Sequence, residues 1–398
     1  MSFFKLAKNS LDDQQMIKQR QKQLQENWKI SSSEHLFAVD KDLSVANKRN
    51  CENMVGAITV PLGLAGPVQI NSEFFAKDKG DCFVPLATSE GALVASVSRG
   101  LKAINQAGGA KVFIKNQGMT RAPVFALPDG EAALAFAKYL EQKETLSSIK
   151  KITESSSSHL EFQNLQSFVR GRNVYVRFSF LTGEAMGMNM VTIALQKLWT
   201  EYLSAYEGLE MLALSSNVCT DKKSSYINQL LGRAYSAQAE IFLSEQILST
   251  VLKTSTKAFL RTHHSKNLRG SNLAGSSAHN MQFANVVAAF YLATGQDLAH
   301  VIEASQGETI IEAEQNGLYC AVVLPNLPLG SVGGGINLPT QREVRQLICQ
   351  NETELTPAQL AAILATGSLA AEISGLAALS SHDLAGAHQR LARGGAKQ

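Results

Sequence analysis

Glu90 is the one acid in the run ATSEGALVASVSRG, residues 87–100, and its neighbours Gly91, Ala92 and Leu93 are small or apolar. A carboxylate in such a setting is partly desolvated, which disfavours its charged form and raises its pKa toward the range of a general acid. The plainer reading is an acid at a helix N-terminus, since Thr88 and Ser89 are good caps and the helix dipole favours negative charge there. Three more side chains are suited to proton or charge work: Lys222 in the polar turn CTDKKSS (219–225), Asp297 just past Gly295, and His388 close to the C-terminus. Each by itself reads equally well as a surface or capping residue. The five cysteines, Cys51, Cys82, Cys219, Cys320 and Cys349, are widely spaced without a CxxC. Reduced thiols are expected, with neither a zinc site nor a disulfide framework.

A chain of 398 residues exceeds what one hydrophobic core organises, so two or three domains are expected. With 45% hydrophobic and 18% charged residues it reads as globular. No apolar run reaches the roughly 18 to 20 residues of a membrane helix. The N-terminal MSFFKLAKNSLDDQQ lacks the apolar core of a signal peptide, which gives a cytoplasmic expectation. The net charge of +3 comes from 37 basic and 34 acidic residues spread along the chain, with no basic block to track nucleic acid.

The elements that must position these residues follow from pattern. Residues 11–30 read as a surface helix, an appendage within a helical N-terminal segment 1–50. From Cys51, Gly and Pro interrupt short β-rich runs. Residues 111–216 give β-α-β-β-α-β: KVFIK with APVFALP, EAALAFAKYLEQ, LEFQNLQSFV, NVYVRFSFL, MVTIALQKLWTEYL and MLALSS. An amphipathic helix is expected near 231–260. NMQFANVVAAFYLATGQDLAHVIEAS is a buried helix at the centre of the larger domain, and NLPLGSVGGGINLP (326–339) a flexible Gly-rich connector. A final helix capped by Ser380 or Ser381 carries His388. The fold class is therefore α+β or α/β and multidomain. A large domain (51–120 with 217–398) surrounds a central buried helix, and a ferredoxin-like unit (121–216) is inserted in it.

The blocks CENMVGAITVPLGLAGP, GMTRAPV, EAMGMNMVT, CTDKK, SKNLRGS, ATGQD and VGGGINLP, in this order, resemble the catalytic domain of 3-hydroxy-3-methylglutaryl-CoA (HMG-CoA) reductase from residue 51 to about 390. MGMNM and CTDKK look like the class I type of eukaryotes and archaea. The resemblance implies four-electron reduction of a thioester to an alcohol, giving mevalonate and CoA with two nicotinamide molecules, in the mevalonate route to isoprenoids. It assigns catalysis to Glu90, Lys222, Asp297 and His388, with His382 a rival for the last. Lys222 would neutralise charge on the thioester oxygen while Asp297 keeps it ionised and raises the pKa of Glu90; His388 would protonate the CoA thiolate, and Glu90 the aldehyde oxygen.

By the same resemblance, Arg121, Ser215, Asp221, Lys223, Lys266 and Asn285 contact the acyl group. Ser96, Arg99, Lys102 and Lys253 contact CoA, and Ser157, Ser158, Glu184, Met186, Gly187, Met188, Asn189, Val332, Gly333 and Gly334 contact the nicotinamide cofactor. No metal is implied, and no GxGxxG fingerprint is present. Ser158 stands where NADPH-using relatives commonly have Arg, so NADPH is the expected cofactor and NADH use is open, with His159, Arg170 or Arg172 as substitutes for the missing cation. Gly394 stands at the position of the regulatory Ser of eukaryotic relatives, and the N-terminal helix in place of their membrane anchor. Relatives share sites across a homodimer, the DKK loop reaching the neighbour's site, so HMG-CoA, mevalonate, CoA and a second copy are the implied partners. Two alternatives are NAD-dependent mevalonate oxidation with CoA and a catalytically silent CoA-binding protein.

Overall fold

The computed structural model describes residues 11–28, 33–75, 81–352 and 354–381. Helix α1 (Asp13–Trp28) forms in the expected stretch, but it is docked rather than appended. Ile17 packs with Ala46 and Met54, and buried Arg20 donates to Asn47 Oδ1 (2.7 Å) and the Met54 carbonyl (2.9 Å). The Gly- and Pro-interrupted run then forms β1 (Leu62–Val68), antiparallel to β2 (Cys82–Ala87). Strand β2 leads through Glu90 into α2 (Leu93–Gln106).

One nine-stranded sheet spans most of the remaining molecule. Its long first strand β3 (Ala110–Arg121) and the short β4 (Val124–Ala126) both pair with β6 (Asn173–Leu181), so they act as one interrupted strand. Helices α3 (Gly130–Leu140) and α4 (Lys143–Glu154) follow, then β5 (Glu161–Arg170), β6, α5 (Met188–Glu201) and β7 (Glu210–Ala213). The local order β7-β4-β6-β5 is all antiparallel and is the order a split β-α-β unit gives. Helix α4 was not foreseen in the sequence. Alternation in β6 sends Val174, Val176, Phe178 and Phe180 inward, where they join Phe125, Phe136, Val191 and Leu198 in a core of their own.

The helix expected near 231–260 is instead β8 (Arg233–Ser244), followed by short helices at Glu245–Thr250 and Thr256–His263. Ala237, Ala239, Ile241 and Leu243 are buried at period two, and β8 is paired on both sides, by β3 and by β10 (Gly317–Leu327). Partners on both edges outweigh the helical preference of its alanines. Helix α6 (Phe283–Thr294) is buried as expected but ends at Gly295, and β9 (Glu308–Glu314) pairs with β10. The Gly-rich segment is not a loose connector: its first residues belong to β10, and Gly334–Asn337 forms a helical turn.

The centre of the larger core is α7 (Pro357–Ser380), every residue of which from Pro357 to Ala378 is buried. Thr356 and Gln359 form a capping box at its start, with Pro357 in the first turn. The helix closes at Ser380 with Ser381 as its C-cap, and the final helix expected after these serines, with His382 and His388, lies outside the described residues. Helix α7 is long and apolar enough to cross a membrane, contrary to the run-length reading, but its faces are covered by protein and it carries Glu372. Cys82 and Cys349, expected as thiols, form a disulfide. They are 267 residues apart, and the pairing arises where Phe83 N donates to the Ile348 carbonyl (2.7 Å), an approach no local motif records.

Helices α2 and α7 meet backbone to backbone at Gly100, where an added Cβ would lie 2.0 Å from the Ala370 carbonyl oxygen. Gly100→Ala must push the helices apart and is expected to cost about 1–3 kcal/mol. A lowered unfolding midpoint in urea checks this, and an unchanged midpoint contradicts it.

Candidate active site

Lys222 lies in a loop where Asn217, Thr220 and Lys222 itself have left-handed backbones, with φ of 67°, 58° and 57°. Such conformations in non-glycine residues cost free energy and persist only when surrounding contacts hold them. Lys222 N donates to Glu303 Oε1 (3.1 Å), and its Nζ is 2.8 Å from Asp297 Oδ2. Both side chains of this pair are 39% exposed, so the ion pair faces solvent on one side. Asp297 follows a turn pinned to the Gly-rich segment: Gln296 exchanges two 3.0 Å hydrogen bonds with Gly330, and Gly295 lies so close to Gly335 that a Cβ would be 2.5 Å from its carbonyl oxygen. Burial pushes the Asp297 pKa up, but the hydrogen bonds from Lys222 and Ala299 N, with the charges of His300 and Lys222, hold it below the ordinary carboxylate value.

Behind the pair is a cluster that the sequence reading missed. Arg233 and Glu303 are 0% exposed, and Arg233 Nη1 reaches both Glu303 oxygens (2.8 and 2.9 Å). Arg233 Nη2 donates to Asp221 Oδ1 (3.0 Å) and Nε to Thr120 Oγ1 (3.1 Å), while buried His300 places Nδ1 2.5 Å from Glu303 Oε1. The signal was charged residues set in apolar runs, with His300 and Glu303 three apart on one face. Asp221, His300 and Glu303 bring three ligand-type atoms within 4.8 Å of one another, but the guanidinium between the carboxylates already supplies the positive charge. Arg121 donates to Ser215 Oγ (3.2 Å) and Thr192 Oγ1 (2.9 Å) and stands 3.8 Å from Asp221 Oδ2; Lys223 is exposed beside it.

Glu90 is elsewhere. It is exposed in this chain rather than desolvated by its small neighbours, and it sits in a turn before α2 rather than in its first turn. Its Oε2 accepts from Asn285 Nδ2 at 2.6 Å, in the first turn of α6, whereas Asp297 lies beyond the other end of that helix. The nine helical steps from Asn285 to Thr294 amount to about 14 Å of rise. Lys266 belongs to the Glu90 end. It adjoins buried Asn267, which donates to Glu372 Oε2 (3.3 Å), and Glu372 in turn accepts from Met281 N (3.0 Å) and Gln282 N (2.8 Å) at the start of α6. Ser96 and Arg99 on α2 are both tied to Ser374 on α7 (3.0 Å each), with Lys102 exposed further along the same helix and Lys253 exposed in the turn before Thr256–His263.

The two segments expected to meet a dinucleotide are joined to each other. Ala185 and Val332 form a β-bridge, Ser331 N donates to the Glu184 carbonyl (2.8 Å), and the Ser331 hydroxyl bonds the Glu184 carboxylate. Gly187 has φ 94°, and a Cβ there would collide with Thr182, so glycine is required immediately before Met188 and Asn189 open α5 with free N–H groups. Gly333 and Gly334 have no neighbour within 4 Å of a Cβ position, which leaves their backbone open to a ligand. Ser157 and Ser158 follow α4, and Ser158 is exposed.

A fixed ammonium beside an ionised carboxylate, on a turn pinned to the Gly-rich segment, is the equipment of an enzyme that neutralises charge developing on oxygen. The hydroxymethylglutaryl-coenzyme A reductase family pattern matches residues 16–393, and the chain belongs to that family. It is 42% identical over 354 residues to the 3-hydroxy-3-methylglutaryl-coenzyme A reductase of Aeropyrum pernix, covering 88% of this chain and 83% of that protein. The enzyme of that name from Methanocaldococcus jannaschii is 41% identical over 365 residues, 90% and 88% of the two chains. Among solved structures, the class II reductase of Streptococcus pneumoniae bound to NADPH aligns with a TM-score of 0.65 at 19% identity, covering 91% of this chain and 96% of that one. That likeness supports the mixed α/β multidomain fold.

Arg233→Met leaves Glu303 buried without its cation and is expected to destabilise the protein by about 3–5 kcal/mol, read from denaturant unfolding. The depressed Asp297 pKa contributes stability that is fully present above the unfolded carboxylate value of about 3.9 and is lost as pH falls through the folded value. The gap in melting temperature between wild type and Asp297→Asn should therefore be constant near neutrality and close in acid. A gap independent of pH contradicts the assignment.

Proposed function

We propose that this chain reduces HMG-CoA to mevalonate and CoA with two NAD(P)H, as a class I enzyme. The observation that carries the reading is the 2.8 Å Lys222–Asp297 pair beside the Gly-rich segment in a chain 41–42% identical to enzymes of that name. Identity to those archaeal proteins is about twice the 19% to the class II structure, which supports the class I reading.

A nicotinamide, when bound, supplies hydride twice. Lys222 neutralises the oxygen of the thioester carbonyl at the first transfer and of the aldehyde at the second, and Asp297, 2.8 Å from its Nζ, holds the ammonium in place. Glu90 delivers the proton to the alcohol oxygen, and His388 protonates the departing CoA sulfur. Arg121 and Lys223 hold the free carboxylate of the acyl group, and Ser96, Arg99 and Lys102 the CoA phosphates. The free N–H groups at the start of α5 hold the pyrophosphate.

The functional unit is a homodimer. Glu90 and Lys222 stand at opposite ends of α6 within one chain, so a site containing both requires the Lys222–Asp297 pair of one protomer to face Glu90 of its partner. What crosses is the pair, since Lys222 already bonds Asp297 of its own chain.

Absorbance of NAD(P)H with HMG-CoA tests the activity: two equivalents should be consumed per thioester, and no consumption refutes the reading. Lys222→Ala should lower kcat about 10²- to 10³-fold with little change in KM. Co-refolded Glu90→Gln and Lys222→Ala chains should recover about a quarter of wild-type activity if the sites are shared, and none if each site is built from one chain. Ser158→Arg should raise the NADPH over NADH ratio of kcat/KM by about 10- to 100-fold, through one charge-assisted contact with the extra phosphate. An unchanged ratio removes Ser158 from cofactor selection.

A further inference from the structure

His300 lies between the Lys222–Asp297 pair and the buried Glu303, fully enclosed, in the helical turn Leu298–His300 that Asp297 caps. Its Nδ1 is 2.5 Å from Glu303 Oε1 and 3.8 Å from Asp221 Oδ1. Its Nε2 has no hydrogen-bond partner among the described residues, and Asp297 Oδ2 stands 3.7 Å away. A sealed ring nitrogen without a partner is costly, and this acceptor is the carboxylate oxygen that bonds Lys222. Both ring nitrogens thus face carboxylates, an arrangement satisfied in full when each nitrogen carries a proton.

We propose that His300 is a positioning residue for the Lys222–Asp297 pair: its imidazole bridges buried Glu303 to Asp297, holding the Asp297 carboxylate ionised and aimed at the lysine. The inference rests on the reductase reading for what the pair does, while the bridge itself is a property of the cluster. The groups facing the ring are the Asp221 and Glu303 carboxylates and Arg233, which binds both. Lys222 lies beyond Asp297, and the buried Tyr291 hydroxyl, without a hydrogen-bond partner among the described residues, is held well above its ordinary pKa by burial and by the Glu303 and Asp297 charges. The charge of His300 acts to lower the Asp297 pKa. Removing it moves that carboxyl upward, so activity that needs ionised Asp297 loses its acid side at a higher pH.

The test compares His300→Ala and His300→Gln in the full chain. His300→Ala should lower kcat for HMG-CoA reduction about 10- to 100-fold with KM changed by less than about threefold, and move the acid limb of the pH profile upward. His300→Gln keeps an N–H to face Asp297 but carries no charge, so it should restore most of kcat and retain the displaced limb. A packing role alone lowers the unfolding midpoint and leaves the limb of both variants in place, and that result overturns the proposal. If wild type consumes no NAD(P)H, the reductase reading falls, yet the bridge is still read from melting. The acid loss of stability attributable to Asp297, taken as the difference from Asp297→Asn, should begin at higher pH in His300→Gln than in wild type. Superimposed curves refute the bridge.

Discussion

Arg233 and Glu303 form a two-point ion pair removed from water, and the candidate active site is arranged around it. The desolvation of two charges makes such a pair a weak source of stability, but its directional demands are strict. Glu303 accepts from Lys222 N, Asn228 Nδ2 and Arg233 and lies against His300, so one carboxylate ties the strained 217–222 loop to the end of α6. Arg233 reaches Thr120 on β3 and Asp221 on the loop, and thereby joins the long sheet to the loop that carries Lys222. The left-handed backbone of Lys222 is affordable because these contacts over-determine it.

A second buried acid performs the matching task at the other end of α6. Glu372, in the middle of α7, accepts from the Met281 and Gln282 amides, Asn267 and Thr309 Oγ1. Burial raises its pKa while these donors pull it back, and the result is an N-terminus of α6 fixed to the central helix. Asn285, and through it Glu90, takes its position from that anchor. Each end of one buried helix is thus tied down by a carboxylate inside the protein, and each end presents a different part of the proposed chemistry. A helix between them separates the two parts within one chain, which supports the proposed dimer.

Much of the architecture was legible in advance. The β-α-β-β-α-β rhythm of 111–216 is present because alternation in NVYVRFSFL and helical spacing in EAALAFAKYLEQ are local signals that the tertiary structure reinforces. The 231–260 region failed for the opposite reason: RAYSAQAEIFLS is compatible with helix or strand, and pairing on both edges by β3 and β10 decided it. Helix α7 was overlooked because its all-round burial removes the polar face that marks most helices.

The amino-acid sequence by itself determined which residues carry reactive groups and which short motifs hold them, since a Gly-rich run, a DKK turn and a capping Ser or Thr act through neighbours in the chain. Only the tertiary structure decided that Lys222 bonds Asp297, that Glu90 bonds Asn285, that Cys82 joins Cys349, and that Arg233, His300 and Glu303 support the site from inside. Those contacts link residues tens to hundreds of positions apart. Their energies depend on desolvation and on distances of a few ångströms, quantities that burial and backbone approach set and that residue order alone does not encode.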